Sequence, residues 1–139
     1  MTKAKVLFVC NHNAGRSQMA EAFLNKLGRE KMEAESAGLE PGTLNPFVVE
    51  AMKEEGIDIS HNKTKDVFQL YKQAKHFDYV ITVCDEANAE ECPFFPSQKE
   101  KIHWSFRDPS KFIGTHEEIM AQVRTVRDAI KKKIADFIG

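Results

Sequence analysis

Cys10 closes an apolar run, Val6-Leu7-Phe8-Val9, and after five intervening residues come Arg16 and Ser17. A strand that ends in a cysteine, then a short loop, then a helix start, is how a chain builds a cradle for an anion. The backbone N–H groups of such a loop converge on one spot, and the helix dipole favours negative charge there. A thiol at the rim of that spot should lose its proton easily, because N–H groups and nearby cations favour the thiolate. The planar fork of Arg16 matches two oxygens of a tetrahedral anion. Asn11, His12, Asn13, Ala14 and Gly15 then supply the binding backbone, with Gly15 for tightness. The ordinary alternative for Cys10 is a buried structural thiol. That alternative has no use for the glycine, arginine and serine that follow.

Two more sets could join this chemistry. Asp108-Pro109 follows His103-Trp104-Ser105-Phe106-Arg107. Alone, the dipeptide is turn chemistry. Coupled to a thiolate and an oxyanion it is also a candidate general acid. Thiolate attack expels an oxygen that needs a proton, and an aspartate kept protonated by a neighbouring anion can supply it. Cys84 and Cys92 bracket the acidic stretch from Asp85 to Glu91. Zinc is one reading of the pair, although zinc ligands usually stand about two to four residues apart. Two inert thiols are a second. A redox relay on an exposed polar loop is the third. His12, His61, His76, His103 and His116 show no metal-ligand spacing. His12 reads as a loop-shaping hydrogen bonder, Trp104 as core, and Lys131-Lys132-Lys133 as a solvated helix face.

These residues need elements to position them. Lys3 to Val9 reads as a buried strand. Ser17 to Leu27 reads as a helix with Met19, Ala20, Phe23, Leu24 and Leu27 inward and Gly28 as its stop. Ala34 to Ala37 reads as a short strand. Asn45-Pro46 is a strong helix start, and that helix should reach Glu55 before Gly56. A further helix should cover Val67 to Lys75. Tyr79 to Val83 is β-branched and reads as a central strand. Ile102 to Trp104 reads as the last strand. Thr115 caps a long final helix with Ile119, Val123, Val126, Ile130, Ile134 and Phe137 on one stripe. The alternation predicts an α/β fold, a three-layer sandwich with a four-stranded parallel sheet flanked by helices. Ligands of such sheets sit at the carboxyl ends of the strands. Cys10, Cys84 and Asp108 all follow strand ends, so the topology brings them to one rim.

The 139 residues suit a single domain, residues 1–139, with one sizeable core. Twenty Lys+Arg against 21 Asp+Glu leave a net charge of −1, which argues against a nucleic-acid or membrane partner. The short apolar start is neither a signal peptide nor a membrane span, so the expected location is cytoplasmic. Three cysteines in such a chain should rest as thiols, and any disulfide should be transient.

Cys10-x5-Arg16-Ser17 resembles the phosphate loop of low-molecular-weight tyrosine phosphatases. The Cys84/Cys92 pair, the position of Asp108-Pro109 with Ser110 and Lys111 after it, Glu35-Ser36-Ala37-Gly38 and Gly56-Ile57-Asp58-Ile59-Ser60 resemble their relatives, the thioredoxin-coupled arsenate reductases. That resemblance covers nearly the whole chain and implies a mechanism. Arsenate, with phosphate or sulfate as competing oxyanions, binds the loop and Arg16. Ser17 hydrogen-bonds the Cys10 thiolate, Cys10 attacks arsenic and Asp108 protonates the departing oxygen. Cys84 then attacks Cys10, and arsenite leaves with the electron pair. Cys92 passes the disulfide outward, and thioredoxin reduces it. The Cys84 to Cys92 spacing is one residue longer than the family's, which keeps glutaredoxin or another thiol open as reductant. In some members a potassium ion binds beside the loop, and the matching positions are Asn13, Glu21, Ser36, Thr64 and Asp66. No other cofactor is implied, and a monomer is expected. A phosphatase with two incidental cysteines is the competing reading, and a redox-regulated anion-binding module without turnover is a third.

Overall fold

The first strand, β1 (Ala4–Cys10), is apolar on both faces, as a strand inside a parallel sheet has to be. Val6 and Phe8 face one layer, Leu7 and Val9 the other, and all four are fully buried. Three strands join it: β2 (Met32–Gly38), β3 (Tyr79–Thr82) and β4 (Glu100–His103). The order is β2-β1-β3-β4, and every pair is parallel. The computed structural model describes residues 3–40, 42–73, 75–83 and 100–139.

Among the described residues four helices cover the sheet: α1 (Arg16–Leu27), α2 (Pro46–Lys53), α3 (Val67–Lys72) and α4 (His116–Ile138). α1, α2 and α4 bury Phe23, Met52, Met120 and Ile130 against Val6, Phe8 and Ile81. α3 buries Val67 and Leu70 against Leu7, Val9 and Val80 on the opposite face. The three-layer α/β sandwich is therefore present. The chain leaves β1 for β2 on one side and returns to β3 on the other. That reversal opens a crevice at the carboxyl end of β1, where such sheets hold ligands.

Local chemistry explains most boundaries. Asn45 Oδ1 accepts from the N–H groups of Phe47 and Val48, with Pro46 at the first helical position. Thr115 and Glu118 form a reciprocal cap at the start of α4. Several limits differ from the sequence-based expectation. β2 runs from Met32, well before Ala34, because Glu33 lies exposed and breaks the apolar signal while its backbone still pairs with Lys5. β4 starts at Glu100, since an edge strand tolerates polar residues. α2 stops at Lys53, and a turn carries the chain to Gly56, whose φ is +74°. α3 ends at Lys72, not Lys75. Leu27 is 45% exposed rather than inward, and Gly28 beside it packs on Ile138 instead.

Candidate active site

The sulfur of Cys10 lies at the floor of a small hollow, about 30 Å³, lined by Cys10, His12, Ala14, Gly15, Arg16, Asn45, Asp108, Pro109 and Ser110. Its size suits a compact anion. β1 delivers Cys10 as its last residue, 3% exposed. The loop that follows turns its carbonyls outward. Those of Cys10, Asn11, His12 and Ala14 accept from the backbone N–H groups of Leu39, Glu40, Gly42 and Asn45 in turn. Gly38 makes this possible, because a Cβ there would stand 2.8 Å from Asn13 N and 2.9 Å from Asn11 O. His12 shapes the loop as expected, its Nδ1 lying 2.9 Å from the Glu40 carbonyl. α1 starts without a side-chain cap, so its first-turn N–H groups remain available to an oxyanion.

Two hydrogen bonds converge on the sulfur. Asn13 N–H donates to Cys10 Sγ at 3.2 Å, and Ser17 Oγ lies 2.9 Å away. The direction of the second follows from its neighbours. The Lys65 N–H donates to Asn13 Oδ1 at 2.8 Å, which turns Asn13 Nδ2 toward Ser17 Oγ, also at 2.8 Å. Ser17 accepts there, so its own hydrogen is left for the sulfur.

Arg16 is 5% exposed and anchored by one Nη1 bond to the Phe106 carbonyl at 3.0 Å. Its Nη2 faces Asp108 Oδ2 at 3.5 Å. Asp108 is the turn residue that one reading of the sequence expected, and it also lines the hollow. Its Oδ1 accepts from Ser110 N–H and Ser110 Oγ and so caps the single 3-10 turn Pro109–Lys111. Its Oδ2 is free to face the hollow. Burial pushes its carboxyl up, but the two Ser110 bonds and the charges of Arg16 and Lys111 together hold it below the ordinary aspartate range.

The five potassium positions meet a different arrangement. Ser36 Oγ donates to Glu21 Oε1, and Lys65 Nζ lies 3.5 Å from that same oxygen. Burial raises the Glu21 carboxyl, with Lys65 and Ser36 opposing. Asn13 Oδ1 accepts two hydrogen bonds, Thr64 Oγ1 donates to the Gly42 carbonyl, and Asp66 Oδ1 caps α3. Lys65 Nζ already stands at Glu21, and Asn13 Oδ1 is taken up by Gln18 and the Lys65 N–H, which is what argues against a potassium ion in this donor set. Among the described residues no cluster of His, Cys, Asp or Glu gathers as for a metal. Cys84 and Cys92 lie outside the described residues. Phe106, Ser110, Gln18 and the stretch 62–65 support the site but carry no sequence signal, being remote in sequence or ordinary polar residues.

A thiol set in a loop of N–H groups at the end of a central parallel strand, with an arginine and an Asp-Pro turn beside it, is the class of site that can hold a tetrahedral oxyanion against sulfur. Residues 5–138 match the low molecular weight phosphotyrosine protein phosphatase family, and the chain belongs to it. Among curated relatives, the arsenate reductase of Halalkalibacterium halodurans is 44% identical over 137 residues, covering 99% of this chain and 96% of its own. A solved arsenate reductase in the phosphate-binding state superposes with a TM-score of 0.78 at 31% identity, covering 97% of this chain and 96% of that one. A thioredoxin-dependent arsenate reductase of Corynebacterium glutamicum gives a TM-score of 0.63 at 31% identity, over 97% of this chain and 63% of that one. Among the described residues no helix is long and apolar enough to cross a membrane.

Proposed function

We propose that this chain is an arsenate reductase that works through Cys10 and a thiol relay. The observation that carries the reading is the Cys10 sulfur, hydrogen-bonded by Asn13 N–H and Ser17, in one hollow with Arg16 and Asp108. Full-length relatives named arsenate reductases support it. The loop N–H groups and the fork of Arg16 hold arsenate. The Cys10 thiolate bonds to arsenic, and Asp108 gives the leaving oxygen its proton, so that water departs. The Cys84 thiolate then attacks Cys10 sulfur. The S–As bond breaks, its electron pair stays on arsenic, and arsenite leaves as a Cys10–Cys84 disulfide forms. Cys92 attacks Cys84 and frees Cys10, and the dithiol of thioredoxin reduces Cys84–Cys92. Such a cycle needs a reducing thiol pool, as the cytoplasm supplies. The same hollow supports slow phosphomonoester hydrolysis, the activity of the family's namesakes.

The test is NADPH oxidation with arsenate, thioredoxin and thioredoxin reductase. It should require arsenate and thioredoxin together. Cys92→Ser should yield about one arsenite per chain and stop with Cys10 joined to Cys84, since the resolving thiol is gone. Hydrolysis of p-nitrophenyl phosphate without any arsenate-dependent oxidation would instead identify a phosphatase. Repeated turnover of Cys92→Ser on thioredoxin would remove Cys92 from the relay.

A further inference from the structure

Gln18 is a polar side chain in the core, 1% exposed. Its Nε2 shares two hydrogens among three acceptors, the Asn13 carbonyl at 3.1 Å, Asn13 Oδ1 at 3.1 Å and the Lys63 carbonyl at 3.2 Å. Its Oε1 accepts from Asn62 Nδ2 at 3.2 Å. The orientation of the amide is fixed by chemistry. Main-chain carbonyls only accept, so the atom that faces them is nitrogen. Asn13 is fully buried and holds φ at +54°, a region that side-chain-bearing residues rarely adopt. That conformation sends the Asn13 N–H to Cys10 Sγ and Asn13 Nδ2 to Ser17. One bond to the sulfur therefore comes from Asn13 itself, and the other comes from Ser17, whose hydroxyl Asn13 orients. Gln18 grips its main chain and its side chain at once.

We propose that Gln18 is a positioning residue for the nucleophile: its buried amide locks Asn13 in the left-handed conformation and so sets both hydrogen bonds received by Cys10. The inference rests on Cys10 being the nucleophile, and it deepens that reading. Gln18 touches neither sulfur nor oxyanion. It acts across the core, carrying the polarity of residues 62–65 to the reactive loop. A merely structural glutamine would tie that stretch to α1 without consequence for the sulfur.

The experiment reads Cys10 without any turnover. In a Cys84→Ser/Cys92→Ser chain, Cys10 is the sole thiol, and its alkylation by iodoacetamide is followed against pH. Gln18→Met keeps the length of the side chain and removes its amide. The alkylation profile should move to higher pH by about one unit, read as an approximately tenfold slower reaction at any pH below both midpoints. Asn62→Ala, at an exposed position, removes only the donor that orients Gln18 and should shift the profile less, in the same direction. In an Asn13→Ala background Gln18→Met should add little, since its effect passes through Asn13. An unmoved profile in folded Gln18→Met, or a full additional shift in the Asn13→Ala chain, overturns the proposal. If Gln18→Met does not fold, Asn62→Ala decides: a shift sustains the proposal and an unmoved profile overturns it. Because no arsenate is used, these outcomes are separate from failure of the reductase reading, which would appear as absent arsenate turnover in the unaltered chain.

Discussion

Asp108 divides its two oxygens between a turn and the arginine of the hollow. With Oδ1 held by Ser110 and Oδ2 facing Arg16, its carboxyl sits below the ordinary value of 3.8, burial notwithstanding. An ionised aspartate is no acid. A bound oxyanion changes its surroundings, because it takes up the charge of Arg16 and brings negative charge of its own, and both raise a carboxyl. Substrate therefore supplies the condition under which Asp108 holds a proton. Asp108→Asn should lower kcat by roughly 10²–10⁴-fold. The KM for arsenate should not rise, since a negative charge leaves the pocket. In the unaltered enzyme kcat should fall as pH rises through the bound-state value of Asp108, and this limb should be missing in Asp108→Asn. Steady-state kinetics across the neutral range give both readings. The linkage to folding has the opposite sense: a lowered carboxyl stabilises the fold above its unfolded-state value, and that contribution is lost as pH falls through the folded one.

Between α2 and α4 the contact is polar where the helix α2 ends. Arg127, 8% exposed, donates through Nη1 to the Ala51 carbonyl at 2.9 Å and to Glu54 Oε1 at 2.8 Å. Arg124 grips both oxygens of Glu54. The Arg124 hydrogen bonds, with those of Arg127, hold the Glu54 carboxyl down to about 2, against an ordinary 4.5. Glu54→Gln should therefore lower Tm at neutral pH. The deficit should shrink as pH falls from 4.5 toward 2, where the unaltered chain loses the same contribution. Thermal melts of both chains along a pH series check it. None of this contact is visible in the sequence, where Glu54 and Arg127 stand 73 positions apart. What is visible is local: the apolar run Val6 to Val9 in β1, the Asn45-Pro46 cap, the Thr115 cap, and the Cys10, Arg16 and Ser17 that stand on either side of one short loop. Asp108 could be placed because strand ends in a parallel sheet share a rim. Gln18 could not, since a glutamine beside an apolar helix stripe looks solvated, and its partner Lys63 lies 45 residues away.

The molecule as a whole is held by residues that never meet the substrate. α4 contributes nothing to the hollow, yet Ile130 and Ile134 are fully buried in the core that also contains Phe8 and Met19. Ile130→Ala should cost about 2–5 kcal/mol, as cavity-forming core truncations do. Urea unfolding should show the loss, while kcat well below Tm stays that of the unaltered chain. The strand order has another consequence, set in time rather than space. A chain is synthesised from its N-terminus. β1 thus leaves the ribosome before either of its sheet neighbours, β2 and β3, exists. For that interval the apolar run Val6 to Cys10, which seats the nucleophile, has two bare edges, the kind of segment that aggregates when exposed. The stretch that makes the site chemically competent is also the newborn chain's greatest hazard, and only the arrival of residues 32–38 and 79–82 removes it.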